Sequence, residues 1–214
     1  MSTLLREQIN LLLGKHVQLK RADVPHSVPM SDRLILARQA RILAELTEDE
    51  NDAQHYRQNA EILEEGLTGE YGTVFASIQP ELSRTDCALL WDILDMFRIL
   101  GASIDGLTEE ERATLGEDVL DALRFSGFDL ADEVEGPMLN YVRFLIRQDR
   151  WSELKDRLTQ IGEDGHSHHA FLPYYTSMLA AYQPILRARL AERGHGRLDA
   201  YKLTPEELRT IAAV

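Results

Sequence analysis

The sequence predicts an all-α protein: an irregular multi-helix bundle preceded by an N-terminal helical arm. Three observations carry this. Apolar residues recur at intervals of three and four along most of the chain. Helix-capping signatures stand at several of the starts this periodicity implies. No stretch shows the convincing period-two alternation of a half-buried strand, and internal repeats are absent.

Residues 3–14 read as a short amphipathic helix, with Leu5, Ile9, Leu12 and Leu13 on one side and Arg6, Glu7 and Asn10 on the other, ended by Gly14. Residues 20–29 carry Pro25 and Pro29 and little apolar content, the composition of a linker. Residues 1–30 are therefore expected to form an arm, and residues 31–214 the helical body. A short helix needs a surface on which to bury its stripe. Whether that surface is its own body or a neighbouring subunit is left open by these residues.

Ser31 is a plausible N-cap for a helix in which Ile35, Leu36, Gln39, Ile42, Leu43 and Leu46 share a face, with Arg33, Arg41 and Glu48 opposite. Residues 53–65 continue as helix to Gly66, and a shorter helix is expected over 74–78. Ser83 caps a helix over 84–100 that is apolar around most of its circumference and so should be the central one. Thr108 and Glu111 have capping-box spacing and predict a helix over 109–123. Gly127-Phe128-Asp129 makes a turn, Pro137 sits in the first turn of another apolar helix, and 151–161 is helical again. A glycine- and histidine-rich loop, 162–169, precedes a helix over 173–192 striped by Tyr175, Met178, Leu179, Tyr182, Leu186 and Leu190, with a kink expected at Pro184. Thr204-Pro205-Glu206-Glu207 opens the last helix.

With 36 acidic and 23 basic residues the chain carries a net charge of −13, which repels phosphate backbones and anionic membranes. Neither a nucleic-acid nor a membrane partner is expected. Cys87 is the single cysteine, which excludes an intrachain disulfide and a multi-thiolate metal site and fits a reducing compartment. No segment reaches the roughly 20 apolar residues of a membrane span, and the N-terminus does not read as a secretion signal, so the cytoplasm is the expected location.

Two clusters bear on chemistry. His166, His168 and His169 offer imidazole nitrogens to a zinc or nickel ion, with Glu163 and Asp164 the nearest carboxylates; an exposed histidine loop without metal is the plainer reading. Asp129, Glu133, Arg143 and Arg150 form a candidate polar site. Asp129 reads first as a helix cap, and Arg143, set in the apolar run Tyr141-Val142-Arg143-Phe144, as half of a buried ion pair with Glu133 or Asp129. Tyr174, Tyr175 and Tyr182 could line a pocket, although aromatic residues at helical spacing are more often core. Phosphate-binding glycine loops, nucleophile elbows and paired-histidine metalloprotease helices are not found, and no cofactor is expected beyond that metal ion.

Specific segments carry a resemblance. They are Asp32-Arg33-Leu34-Ile35-Leu36-Ala37-Arg38-Gln39, the stretch from Tyr56-Arg57 to Tyr71-Gly72, Leu90-Trp91-Asp92-Ile93-Leu94-Asp95-Met96-Phe97, Gly127-Phe128-Asp129, Tyr141-Val142-Arg143-Phe144, Arg150-Trp151, and Leu203-Thr204 with Glu207. In these, and in their order from Asp32 to the C-terminus, the chain resembles the YfbU-like family of bacterial proteins. The resemblance implies a small helical protein that self-associates; it brings no activity, cofactor or catalytic residue to carry over. Two functions are compatible with the residues. The first is a helical homo-oligomeric interaction module, its interface including the Leu5, Ile9, Leu12 and Leu13 stripe, which engages another copy or a protein partner. The second is a metal-dependent or carboxylate-based enzyme, hydrolase-like, working through the Asp129, Arg143 and His169 region.

Overall fold

The computed structural model describes residues 24–194 and 197–214, so the predicted helix over 3–14 and its stripe of Leu5, Ile9, Leu12 and Leu13 lie outside the described residues. The described residues form ten α-helices and no strand. No helix among them is long and apolar enough to cross a membrane. The chain divides into two compact units, the first ending at Glu81 and the second starting at Leu82.

The first unit is built on two helices, α1 (Met30–Leu46) and α2 (Glu50–Glu65). The Asp49 carboxylate accepts the Asn51 and Asp52 amides and so starts α2 immediately after α1 ends. The connection is too short for anything but an antiparallel hairpin. A turn of 3₁₀ helix and α3 (Tyr71–Val74) close the unit, three residues earlier than the periodicity predicts. Its core joins Ala37, Ile62, Leu63 and Tyr71, with Leu36, Val74 and Phe75 packed against them.

The orientation of α1 runs against its amphipathic pattern. It buries Ala37 (1% exposed), Ala40 (8%) and Ala44 (4%), and leaves Ile35 (56%), Ile42 (58%) and Leu46 (74%) exposed. At 100° per residue these two sets lie on opposite sides of the helix. The small alanine face lets α1 approach α2 closely, and the branched aliphatic face is left outside.

The second unit is arranged around α4 (Arg84–Asp105), which Ser83 caps by accepting the Asp86 amide. Leu90, Ile93, Leu94, Met96, Phe97 and Leu100 of α4 are buried, as its all-round apolar pattern predicts. The expected helix over 109–123 is two helices, α5 (Glu109–Leu115) and α6 (Glu117–Ala122). Gly116 separates them at φ +84°, which a continuous right-handed helix cannot contain. Next come α7 (Glu135–Arg147), a 3₁₀ turn with α8 (Lys155–Ile161), and α9 (Leu172–Arg193), whose span runs through Pro184. The chain finishes in α10 (Pro205–Ala212), opened by the Thr204/Glu207 capping box.

Candidate functional site

Two loops of the second unit, 123–134 and 162–171, meet edge to edge. The Phe128 amide donates to the Gly165 carbonyl (3.2 Å) and the Ser167 amide to the Phe128 carbonyl (3.1 Å), an isolated parallel bridge. Gly127 sits at φ +81°, and a Cβ there would strike the Gly165 carbonyl oxygen, so this crossing requires glycine. Beneath it, the Tyr175 hydroxyl accepts the Ser126 amide (2.9 Å) and donates to the Gly127 carbonyl (3.0 Å). The rings of Phe97, Phe125 and Phe128 surround Tyr175 at 4.9–5.6 Å between centroids. Burial pushes the Tyr175 phenol far above its usual range, so it stays a neutral donor.

Glu135 ties these loops to α9. It is 1% exposed; one carboxylate oxygen accepts the Asp129 amide (2.8 Å) and the other the Leu172 amide at the start of α9 (2.6 Å). Asp132 accepts the Val134 and Glu135 amides, and those backbone bonds hold its carboxyl below the usual range. The sequence reading selects Glu133 and passes over Glu135, because nothing in residue type or spacing separates two glutamates at one helix entrance. Only the docking of α9 decides which is enclosed.

Asp129 accepts the Ala131 amide (2.9 Å), a local turn bond upstream of α7 rather than the expected helix cap, since α7 starts after Val134 with no side-chain cap, and its carboxylate lies 3.7 Å from His166 Nδ1. Arg143 departs from expectation. It is half-buried and donates to the loop carbonyls of Glu163 (2.7 Å) and Asp164 (3.1 Å) and to Asn140 (3.4 Å), which makes it a brace for the histidine loop. Its long stem reaches across α7 to carbonyls that the left-handed residues Glu163 and Asp164 turn outward. Arg150 lies over the rings of Trp151 (4.8 Å) and Trp91 (5.9 Å).

The histidine loop brings Glu163, His166 and His168 together, one ligand atom of each within 4.8 Å of the others. His169 is outside that group, and its carbonyl accepts the Ser167 hydroxyl. The donor set has a chemical obstacle. His166 Nδ1 already accepts the Leu130 amide (3.0 Å), so a metal at that nitrogen must break the bond. A metal at Nε2 would need the ring proton on Nδ1, facing another N–H. His168 and Glu163 remain as exposed ligands.

The described residues form helices and no strand, an all-α multi-helix fold. A family model described as the YfbU domain matches residues 27–214, and the chain belongs to that family.

Proposed function

We propose that this protein is a homo-oligomeric interaction module, and that α1 supplies a principal self-association surface. The observation that carries the reading is the inverted α1, which buries alanines and exposes Ile35, Ile42 and Leu46. Leaving three large aliphatic side chains in water forgoes roughly 1.5–3 kcal/mol for each that a partner would cover.

The occupant argued for is a second copy of this chain. Ile35, Gln39, Ile42 and Leu46 follow the alternating four- and three-residue spacing of a coiled-coil seam. Laid antiparallel on itself about a two-fold axis, the seam sets Ile35 against Leu46 of the partner subunit and Gln39 against Ile42 of the partner subunit. The same register brings the exposed Arg38 beside Glu45 of the partner subunit, on both sides of the axis. A helix whose Ile35/Leu46 and Gln39/Ile42 layers and Arg38/Glu45 charges each pair with their own mirror copies fits a symmetric contact.

Analytical ultracentrifugation of the full chain and of Ile42→Glu tests this. The expected result is an oligomer that falls to monomer in the variant, with unchanged helical circular dichroism. A monomeric parent, or a variant that keeps the oligomeric mass, overturns the reading.

A further inference from the structure

Gly101 stands in the interior of α4 with no steric reason to lack a side chain. A Cβ placed there would meet nothing within 4 Å, so the space beside it is open. Glycine inside a helix forgoes roughly 0.5–1 kcal/mol against alanine. The open space belongs to a cavity of about 460 Å³ in the second unit, walled by the C-terminal half of α4, Arg112 of α5, the segment 123–125 and α8 with the turn before it. That volume falls in the range of small-molecule sites.

Three arginines, Arg112, Arg124 and Arg157, line this one cavity, in a chain whose net charge is −13. Their existing partners differ. Arg124 pairs with the exposed Asp121 (2.8 Å), while Arg112 donates to the Ile104 carbonyl (2.5 Å) and has Asp105 at 4.0 Å. Arg157 has no ion pair among the described residues. Its Nε donates to the Phe125 carbonyl (2.7 Å) and its Nη1 to the Gln160 amide oxygen (3.5 Å), which leaves Nη2 without a hydrogen bond among those residues. Burial first, and Arg124 second, lower the Arg157 pKa from its ordinary value, and Asp121 offsets this only in part. Two carboxylates share the lining, and neither supplies the missing charge: Glu153 is taken up by Arg98, and the Asp105 side chain is 87% exposed.

We infer that this cavity is a binding site for a small phosphate monoester, its phosphate held by Arg157 together with Arg124 and Arg112 and its organic group lying in the space beside Gly101. Three guanidinium forks offer more donors than the two oxygens of a carboxylate can use. A phosphate monoester brings three terminal oxygens and close to two negative charges at neutral pH, and guanidinium groups match its geometry. An ammonium would add to the positive charge, and an uncharged ligand would leave Arg157 without a counter-ion.

The probe is phenyl phosphate, titrated calorimetrically into the full chain, with benzoate and benzylamine as carboxylate and cationic counterparts. One equivalent of phenyl phosphate per chain is expected, with benzoate about tenfold weaker and benzylamine not bound, since each hydrogen bond to a charged group is worth about that factor. Arg157→Gln and Arg124→Gln should each weaken phenyl phosphate about tenfold. Arg124 is exposed, so its replacement leaves the fold intact and keeps the test decisive if Arg157→Gln melts early. Gly101→Leu places a side chain in the cavity. It should abolish binding without lowering the melting temperature, because leucine is the better helix former and enters open space. Absence of saturable phenyl phosphate binding overturns the assignment. So does benzoate binding as tightly, or an affinity unchanged in Gly101→Leu or Arg124→Gln.

Discussion

Arg189 and Glu207 form the buried ion pair on which the C-terminal helix hangs: the guanidinium reaches both carboxylate oxygens, at 2.9 and 3.1 Å, from eighteen residues away on α9. The same guanidinium donates to the carbonyls of Asp199 and Ala200 at 3.0 Å, and to that of Lys202. Glu207 also closes the capping box with Thr204, so one carboxylate starts α10 and fixes it to α9. Arg189→Met should destabilise the second unit by about 3 kcal/mol, the lower end for breaking an enclosed pair because Glu207 keeps some exposure. Glu207→Gln should cost less, since glutamine still serves a capping box. Urea unfolding followed by tryptophan fluorescence reads this, because Trp91 and Trp151 both belong to the second unit. Equal losses in the two variants would contradict the account.

Glu135 gives a second prediction. Replacing it by Ala leaves the Asp129 and Leu172 amides without their acceptor, each worth roughly 1–3 kcal/mol when enclosed. Glu135→Ala should therefore lose about 2–4 kcal/mol, and Glu135→Gln about half of that, because one amide oxygen remains. Hydrogen exchange should show the Asp129 and Leu172 amides accelerated together in Glu135→Ala, and one of the two in Glu135→Gln. Protection unchanged at Leu172 in Glu135→Ala would mean the carboxylate does not hold the start of α9.

Helix positions were legible where one residue type forces one local geometry. Thr108 with Glu111, and Thr204 with Glu207, are capping boxes in the sequence and in the structure. The all-round apolar run of α4 marked the core helix correctly. Tertiary choices were less legible. Periodicity shows that Ile35, Ile42 and Leu46 share a face of α1; that the alanine face is the one turned inward depends on how closely α2 packs. The split of 109–123 was visible only as a glycine, whose φ sequence does not give. In the polar loops, Arg143 was recognised as a charge needing partners, and its partners proved to be carbonyls exposed by left-handed residues. Backbone acceptors carry no residue label.

The self-pairing of α1 predicts a charge-reversal outcome. Arg38→Glu alone places like charges beside Glu45 of the partner subunit and should weaken the oligomer. Glu45→Arg alone should do the same. The double variant restores opposite charges and should recover most of the affinity in sedimentation experiments, with a gain that diminishes at high salt because both positions are exposed. A double variant as weak as the singles would exclude this antiparallel register.

Zinc added to the protein should bind no tighter than two exposed ligands allow, with His168→Ala removing the effect. The Leu130 amide should keep its exchange protection throughout the titration, since its bond to His166 Nδ1 must break before that nitrogen can serve a metal. Tight binding at one ion per chain, accompanied by deprotection of Leu130, would show that the loop yields this bond and that His166 joins Glu163 and His168 as a ligand.

Asp92 should make the second unit less stable as pH rises through the carboxylate range. Its carboxyl is raised in the folded chain, by burial first and by Asp95 second, so folding favours the protonated form. The folded state is thus penalised once Asp92 ionises, and the penalty is absent below the unfolded carboxyl range. Asp92→Asn removes the ionisable group and should raise the melting temperature at pH 7 by about 1 °C, the scale of a like-charge pair one helical turn apart. Below about pH 3.5, where an ordinary aspartate is itself mostly protonated, variant and parent should melt together. A melting temperature lowered by Asp92→Asn at pH 7 would indicate instead that the carboxylate helps to hold the fold.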